Sequence, residues 1–346
     1  MTGRDRIANA ASFKPTDRVS AALLSGGSWA LYHHGLNIQK ALLLEPEDVA
    51  EKIFSINKKA GVDIIWAAPS FGNILIKTMG GEIKFREKGP PDVTKALINN
   101  AGDLERIDLK KNFSDPSLQK MREITRLIAD KARSEYAVGA SMWGPFTMLG
   151  LLYGVEKLMR DLYKKPGVVR AILEWTANLY LEFVDYFFIG GGVNLVSMGD
   201  PAASGDMISR RHFEDFALPL YNDIYARLRK ENVITCLHIC GNIENRLDLI
   251  SLTGVSLVSI DYKVNIKKAR EILGRKTALA GNINPVGIIK DGTAEDIIGA
   301  CEQCIAEAGE DGGFILMPGC DIPPTTPFEN VKTMTETAAK HRFKRS

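Results

Sequence analysis

VITCLHICGN, residues 233–242, is the stretch on which the reading of this chain turns. It begins as a short apolar, β-branched run and ends at His238, Ile239, Cys240 and a glycine, the pattern of a buried strand stopping at a loop. Alternation along a strand puts His238 and Cys240 on one face, roughly 6.5–7 Å apart along the chain. A second run, FILMPGCD at residues 314–321, ends in the same way at Cys320. One soft metal ion held by His238, Cys240 and Cys320 accounts for both strand ends. Zinc is the natural candidate, because it accepts imidazole nitrogen and thiolate sulfur together. Three protein ligands leave a fourth position open, as in catalytic rather than structural zinc sites. The competing reading is packing: His-x-Cys arises by chance, and buried Cys often serves as a small hydrophobe.

Working outward, short apolar runs recur at residues 21–25, 62–68, 136–142, 193–198, 233–237, 256–260, 277–280 and 313–317. Between them lie amphipathic stretches with helical spacing, clearest at 46–59, 117–134, 166–187, 211–230, 243–252, 266–273 and 294–308. Glu45-Pro46 and Asp115-Pro116 are helix-start signals, as is Thr293 before Ala-Glu-Asp. Eight strands alternating with helices predict a parallel sheet, and eight is the count that closes a (β/α)8 TIM barrel. An open doubly wound sheet lacks its main signal, since no Gly-x-Gly-x-x-Gly follows the first strand. The runs end on Ser25, Ser70, Ser141 with Trp143, Asp200, His238 with Cys240, Asp261, Asn282 and Cys320. In a closed barrel these ends converge on one mouth, where barrel active sites lie. The expectation is a single α/β domain over residues 1–346, with a short N-terminal extension and a basic C-terminal tail. Residues 77–112 break the alternation, and Gly80-Gly81 and Gly89-Pro90-Pro91 are turn signals. That segment reads either as an elaborated βα loop over the mouth or as a disordered surface excursion.

The chain has 346 residues, 45% hydrophobic and 25% charged, with a net charge of +2. That balance gives no basic field for nucleic acid or anionic membranes. No signal core or long apolar run appears, so a cytoplasmic location is expected and no membrane association. Five cysteines, an odd number, argue for free thiols or metal ligands over a disulfide framework. Cys301 and Cys304 fall inside a helical stretch with no second Cys-x-x-Cys, which favours core packing. Cys236 shares the face of His238 and Cys240 but sits deeper, as filler. His33 and His34 read as surface residues, and His212 and His341 belong to no motif. Asp200 opens a Gly/Ser/Pro loop. Its carboxylate suits a base, a partner for a metal-bound imidazole, or a substrate acceptor, or else merely caps the loop before Pro201. Asp261 stands in the same relation to the next strand.

Assembled, these residues carry a resemblance. The segments GPFTMLG (144–150), DPAAS (200–204), HICGN (238–242), AGNINP (280–285) and GCDIPPTTPFEN (319–330) are similar to the uroporphyrinogen decarboxylase superfamily. More closely they resemble its zinc-dependent, corrinoid-linked branch, that of the methylcobamide:coenzyme M methyltransferases of anaerobic one-carbon metabolism. The resemblance implies a (β/α)8 barrel with zinc on His238, Cys240 and Cys320. It implies a corrinoid (methylcobalamin) supplied by a partner protein, and a small thiol or methoxylated or methylated compound as the other substrate. On that reading Asp200 and Asp261 orient ligands or handle a proton. Trp29, Phe71, Trp143, Ser204 and Asn282 face substrate or corrinoid. The decarboxylases instead carry an Arg-Gln-Ala-Gly-Arg segment near the N-terminus that meets porphyrinogen carboxylates. Here residues 24–33 read LSGGSWALYH, with no Arg. A metal-free tetrapyrrole decarboxylase is therefore the runner-up expectation, and a barrel with a merely structural metal the third. Direction of transfer is not encoded, and a homodimer is left open.

Overall fold

The computed structural model describes residues 1–308 and 312–342; the end of the basic tail, residues 343–346, lies outside the described residues. Ten strands occur among the described residues, in chain order: β1 Ser20–Ala21, β2 Ile64–Trp66, β3 Glu82–Lys84, β4 Asp92–Lys95, β5 Ala137–Trp143, β6 Leu195–Gly199, β7 Ile234–Ile239, β8 Leu257–Ile260, β9 Ala278–Ile283 and β10 Phe314–Pro318. Eight of them form one sheet in the order β1-β10-β9-β8-β7-β6-β5-β2, and β3 and β4 form a separate hairpin. Every pairing in the large sheet is parallel. Helices cross between consecutive strands, so the sheet curls into a nearly closed (β/α)8 barrel, as the alternation predicts.

The ring closes between the edge strands β1 and β2 around Asp63. Its N–H donates to the Ala21 carbonyl at 2.8 Å, and the Ala21 N–H donates to Asp63 Oδ2 at 3.0 Å. Arg18 and Arg6 donate to the same carboxylate at 2.8–3.1 Å. A buried carboxylate needs that pairing, so the two cations and the closing bond depend on one another.

Alternation divides the core in two. Inward residues such as Ala22, Ile64, Trp66, Cys236, Ala280 and Met317 fill the lumen, while outward residues pack beneath the helices. The N-terminal segment is more than an extension. Residues Gly3–Ala11 form a helix opened by a Thr2/Asp5 capping box. Its Ile7 and Ala10 join the lumen cluster and plug the N-terminal end of the barrel. Helices absent from the sequence reading follow β2 (Phe71–Thr78), β5 (Pro145–Tyr153) and β10 (Phe328–Lys340). The segment at 77–112 is ordered and holds the β3–β4 hairpin, a 3-10 turn at Ala101–Arg106 and a short helix at Leu109–Phe113. Its Pro90 reaches the mouth of the barrel, as an elaborated βα loop should. No helix among the described residues is long and apolar enough to cross a membrane.

A candidate metal centre and the cleft beside it

β7 delivers His238 to the mouth on the lumen face, and the next inward position, just past the strand, is Cys240. β10 ends at Pro318, and two residues later the chain turns Cys320 toward them. The result is one cluster. A ring nitrogen of His238 and the sulfurs of Cys240 and Cys320 lie within 4.8 Å of one another. His238 Nε2 is 3.1 Å from Cys240 Sγ, and the two sulfurs are 3.5 Å apart. All five cysteines are free thiols.

The surroundings orient this donor set. Nδ1 of His238 faces the hydroxyl and the carbonyl of Ser259 at 3.1 and 3.2 Å. Ser259 is the register partner of His238 on β8. A proton held on Nδ1 by that carbonyl leaves Nε2 as the free lone pair, pointed at the sulfurs. Gly241, immediately after Cys240, has φ +82°, and an added Cβ would stand 2.8 Å from Ser204 Oγ. Only glycine fits that turn. The Gly241 N–H donates to Asp261 Oδ2 at 2.9 Å, and Oδ1 accepts from the Lys263 N–H at 3.0 Å. Asp261 thus fixes the turn that carries Cys240.

The electrostatics of the sulfur pair are one-sided. The Cys240 thiol beside it, with His238 adding to the effect, pulls Cys320 down to about 4 despite burial. The contact with Cys320 and burial push Cys240 well above the usual thiol range. One thiolate is easy to form and the second is opposed by the first. A divalent cation between them would relieve that repulsion, and two sulfurs with one imidazole are the donors zinc takes. The residues present therefore fit a zinc ion.

The other expected residues divide. Trp143 lines a cleft of about 90 Å3 at the mouth, partly open to solvent, together with Ser28, Trp66, Asn73, Ser141 and Asp321. Its indole N–H donates to Asn73 Oδ1 at 2.8 Å, and the Asn73 amide donates to the Pro91 carbonyl at 2.8 Å. That chain ties the end of β5 to the elaborated loop. Phe71 borders the cleft, yet its ring packs among Phe183, Phe187 and Phe188 with centroids 5.3–5.9 Å away. Trp29 is fully buried, donates to the Thr326 carbonyl at 2.9 Å and stacks on Phe328. It faces the core, not the mouth. Asn282 also departs from expectation. Its amide donates to the carbonyls of Asp261 and Val264, and its oxygen faces the Cys304 thiol on the helix Ala294–Ala308. Ser204 is buried behind Gly241, and its hydroxyl accepts from the Asp206 N–H. His33 and His34 are exposed.

Asp200 is fully buried, with its carboxylate turned toward the helix Pro145–Tyr153. It accepts from the Phe146 and Thr147 N–H groups, the Thr147 hydroxyl and the Tyr221 hydroxyl at 2.6–3.2 Å. Burial raises it to about 6 against those four donors. Its backbone touches β7, since its N–H donates to the His238 carbonyl at 2.8 Å.

Ser259 and Asp321 are the residues that sequence reasoning did not single out. Asp321 follows Cys320, accepts from the Gly26 N–H at 3.2 Å and lines the cleft, which therefore abuts the donor cluster. Burial first, and then the Cys320 charge, raise it to about 7. Its position beside the late Cys was the available signal. Ser259 had none until the register of β7 and β8 was known.

Over most of its length the chain is similar to known proteins. The family model for uroporphyrinogen decarboxylase (URO-D) matches residues 2–341. The methylcobamide:CoM methyltransferase MtbA of Methanosarcina mazei is 30% identical over 258 residues, covering 74% of this chain and 73% of the relative. MtaA of Methanosarcina barkeri, also named a methylcobamide:CoM methyltransferase, is 25% identical with 96% of each chain covered. A uroporphyrinogen decarboxylase of Geotalea daltonii is 27% identical over 96% of this chain and 97% of its own. A solved methyltransferase structure from Methanosarcina mazei superposes with a TM-score of 0.87 at 24% identity, covering 98% of this chain and 99% of that one. The superposition supports the barrel fold, and the family match across residues 2–341 leads to one conclusion: this chain belongs to the uroporphyrinogen decarboxylase family.

Proposed function

We propose that this protein is a zinc-dependent methyltransferase. It would move a methyl group between a corrinoid carried by a partner protein and a small thiol or methylated compound. The observation that carries the reading is the trio of His238 Nε2, Cys240 Sγ and Cys320 Sγ within 4.8 Å at the barrel mouth. The likeness to methylcobamide:CoM methyltransferases supports it. Zinc, when bound, supplies a Lewis acid that keeps a substrate sulfur deprotonated near neutral pH, or draws charge from a heteroatom losing its methyl group. His238 and the two cysteines would hold it, and two thiolates balance its charge, which suits a soft substrate atom. Ser259 keeps the His238 proton on Nδ1, and Asp261 keeps the Cys240 turn in place. The cleft lined by Trp66, Ser141 and Trp143 receives the body of the small substrate beside Cys320.

The runner-up, metal-free decarboxylation of a tetrapyrrole, draws on the decarboxylase relatives. The absence of Arg from residues 24–33 opposes it. The test is zinc content and sulfur ligation by X-ray absorption, beside methylcobalamin demethylation with a panel of thiols and methoxylated compounds. About one zinc per chain on two sulfurs is expected. Only oxygen and nitrogen ligands, or full activity after exhaustive chelation, would overturn the proposal.

A further inference from the structure

We infer, on the methyltransferase reading above, that the small substrate carries no acid group: the cleft takes an uncharged thiol or methyl compound in preference to a sulfonate or carboxylate. The relatives named for CoM make this a departure worth testing. The argument is the lining. Ser25, Ser28, Ser70, Ser141 and Asn73 supply neutral polar atoms, and Trp66 and Trp143 supply aromatic surface. No lysine, arginine or histidine lines the cleft. The acidic side chain on its lining is that of Asp321, which offers an anion no cationic partner. Lys88, two residues from Pro90 at the rim, is exposed and lies over the Tyr32 ring, 5.6 Å from its centroid.

The metal centre adds no compensating charge, because two thiolates offset a divalent cation. A sulfonate seated in this cleft would lose part of its water without gaining a cation, and an anion desolvated without a partner is disfavoured. A hydroxyl tail in the same place can bond to the serines and to Asn73. The chemistry of the reacting sulfur is unchanged, so the discrimination falls on the tail alone.

The experiment compares three thiols with two-carbon tails: 2-mercaptoethanol, 2-mercaptoethanesulfonate (coenzyme M) and 2-mercaptoethylamine. Methyl transfer from methylcobalamin is followed spectroscopically, and binding of each thiol to the zinc-loaded protein by calorimetry. In the assay the thiol gives its proton to buffer and its sulfur takes the methyl group, while the electron pair of the Co–C bond stays on cobalt. We expect 2-mercaptoethanol to exceed the sulfonate by about tenfold or more in kcat/KM and in affinity, since each tenfold is a modest electrostatic penalty. Ser28→Lys, which puts a cation in the cleft, should narrow that gap. A sulfonate that matches or exceeds 2-mercaptoethanol in the native protein overturns the inference and leaves the methyltransferase reading standing. Zinc without methyl transfer to any thiol or from any methoxylated compound sinks the methyltransferase reading instead, and the order of the three affinities still judges the cleft. If none of the three binds, this cleft is not the substrate site.

Discussion

Asp261→Ala separates two roles that its geometry combines. Asp261 is buried, and its Oδ2 accepts from Gly241 N–H at 2.9 Å, one residue after Cys240, a proposed ligand. Its Oδ1 accepts from Lys263 N–H at 3.0 Å in a partly buried place. Losing the first bond leaves a buried N–H without a partner, and hydrogen bonds to charged acceptors are worth about 1.5–3 kcal/mol. The second bond is wetter and worth about 1 kcal/mol. The expected loss of stability is about 2.5–4 kcal/mol in total. The consequence for the metal is separate. Gly241, at φ +82°, sits close against Ser204 and Asp206, so its turn depends on how that N–H is held. Freed, it lets the Cys240 sulfur wander from the 3.1 Å approach to His238 Nε2. Removing a residue that orients a ligand typically weakens metal binding by about 10- to 100-fold. The assay is competitive zinc titration against a chromophoric chelator, run beside urea denaturation. Native zinc affinity in a destabilised Asp261→Ala protein would refute the positioning role and leave Asp261 as a loop anchor only.

Cys320→Ala should cut zinc affinity sharply, while Cys301→Ala with Cys304→Ala should leave zinc content unchanged and cost only stability; titration of both proteins decides, and the reverse result would mean that the wrong cysteines were chosen. Asp200 is raised from its ordinary 3.8 to about 6, so the folded state holds a proton that the unfolded chain has already released. Its protonated form therefore favours the folded state, a contribution fully present below pH 4, and ionisation withdraws up to about 3 kcal/mol as pH rises from 4 to 6. Asp200→Asn should flatten that part of the stability–pH curve with zinc retained; an unchanged slope between pH 4 and 6, or lost zinc, contradicts the assignment. Asp63→Ala leaves Arg6 and Arg18 without their shared partner at the barrel seam and should cost about 3–5 kcal/mol; a loss under about 1 kcal/mol in urea denaturation would show that the seam closes without the ion pairs.

The sequence showed the barrel and the clustering of His238 with Cys240 for the same physical reason. Period-two alternation is a backbone property, so in His238-Ile-Cys240 residue spacing alone puts two side chains on one side. Eight apolar runs, each stopping at a polar residue, then report a common rim. What the sequence could not report is where a side chain turns once the strand has ended. Phe71, Asn282 and Trp29 stand at or near strand ends just as Trp143 does. Phe71 is drawn back by Phe183, Phe187 and Phe188, which come from a helix far along the chain. Asn282 is drawn to two carbonyls of the preceding crossover, where an amide donor is satisfied without water. Trp29 is captured by the Thr326 carbonyl on the last loop.

Ser259 shows the complementary limit. Nothing in a serine within an apolar run marks it as the partner of an imidazole. Its role exists only because β7 and β8 pair with His238 opposite Ser259, and a slip of one residue would have put Ile260 or Val258 there instead. The site therefore has two layers with different legibility. Donor atoms are fixed by spacing within single strands, which sequence displays. The groups that aim them depend on register and on loop ends, which only tertiary structure sets. Asp261 belongs to both layers. Its place at a strand end was visible, but its hold on Gly241 was not, and that hold is what connects the sixth strand of the barrel to the sulfur supplied by the fifth.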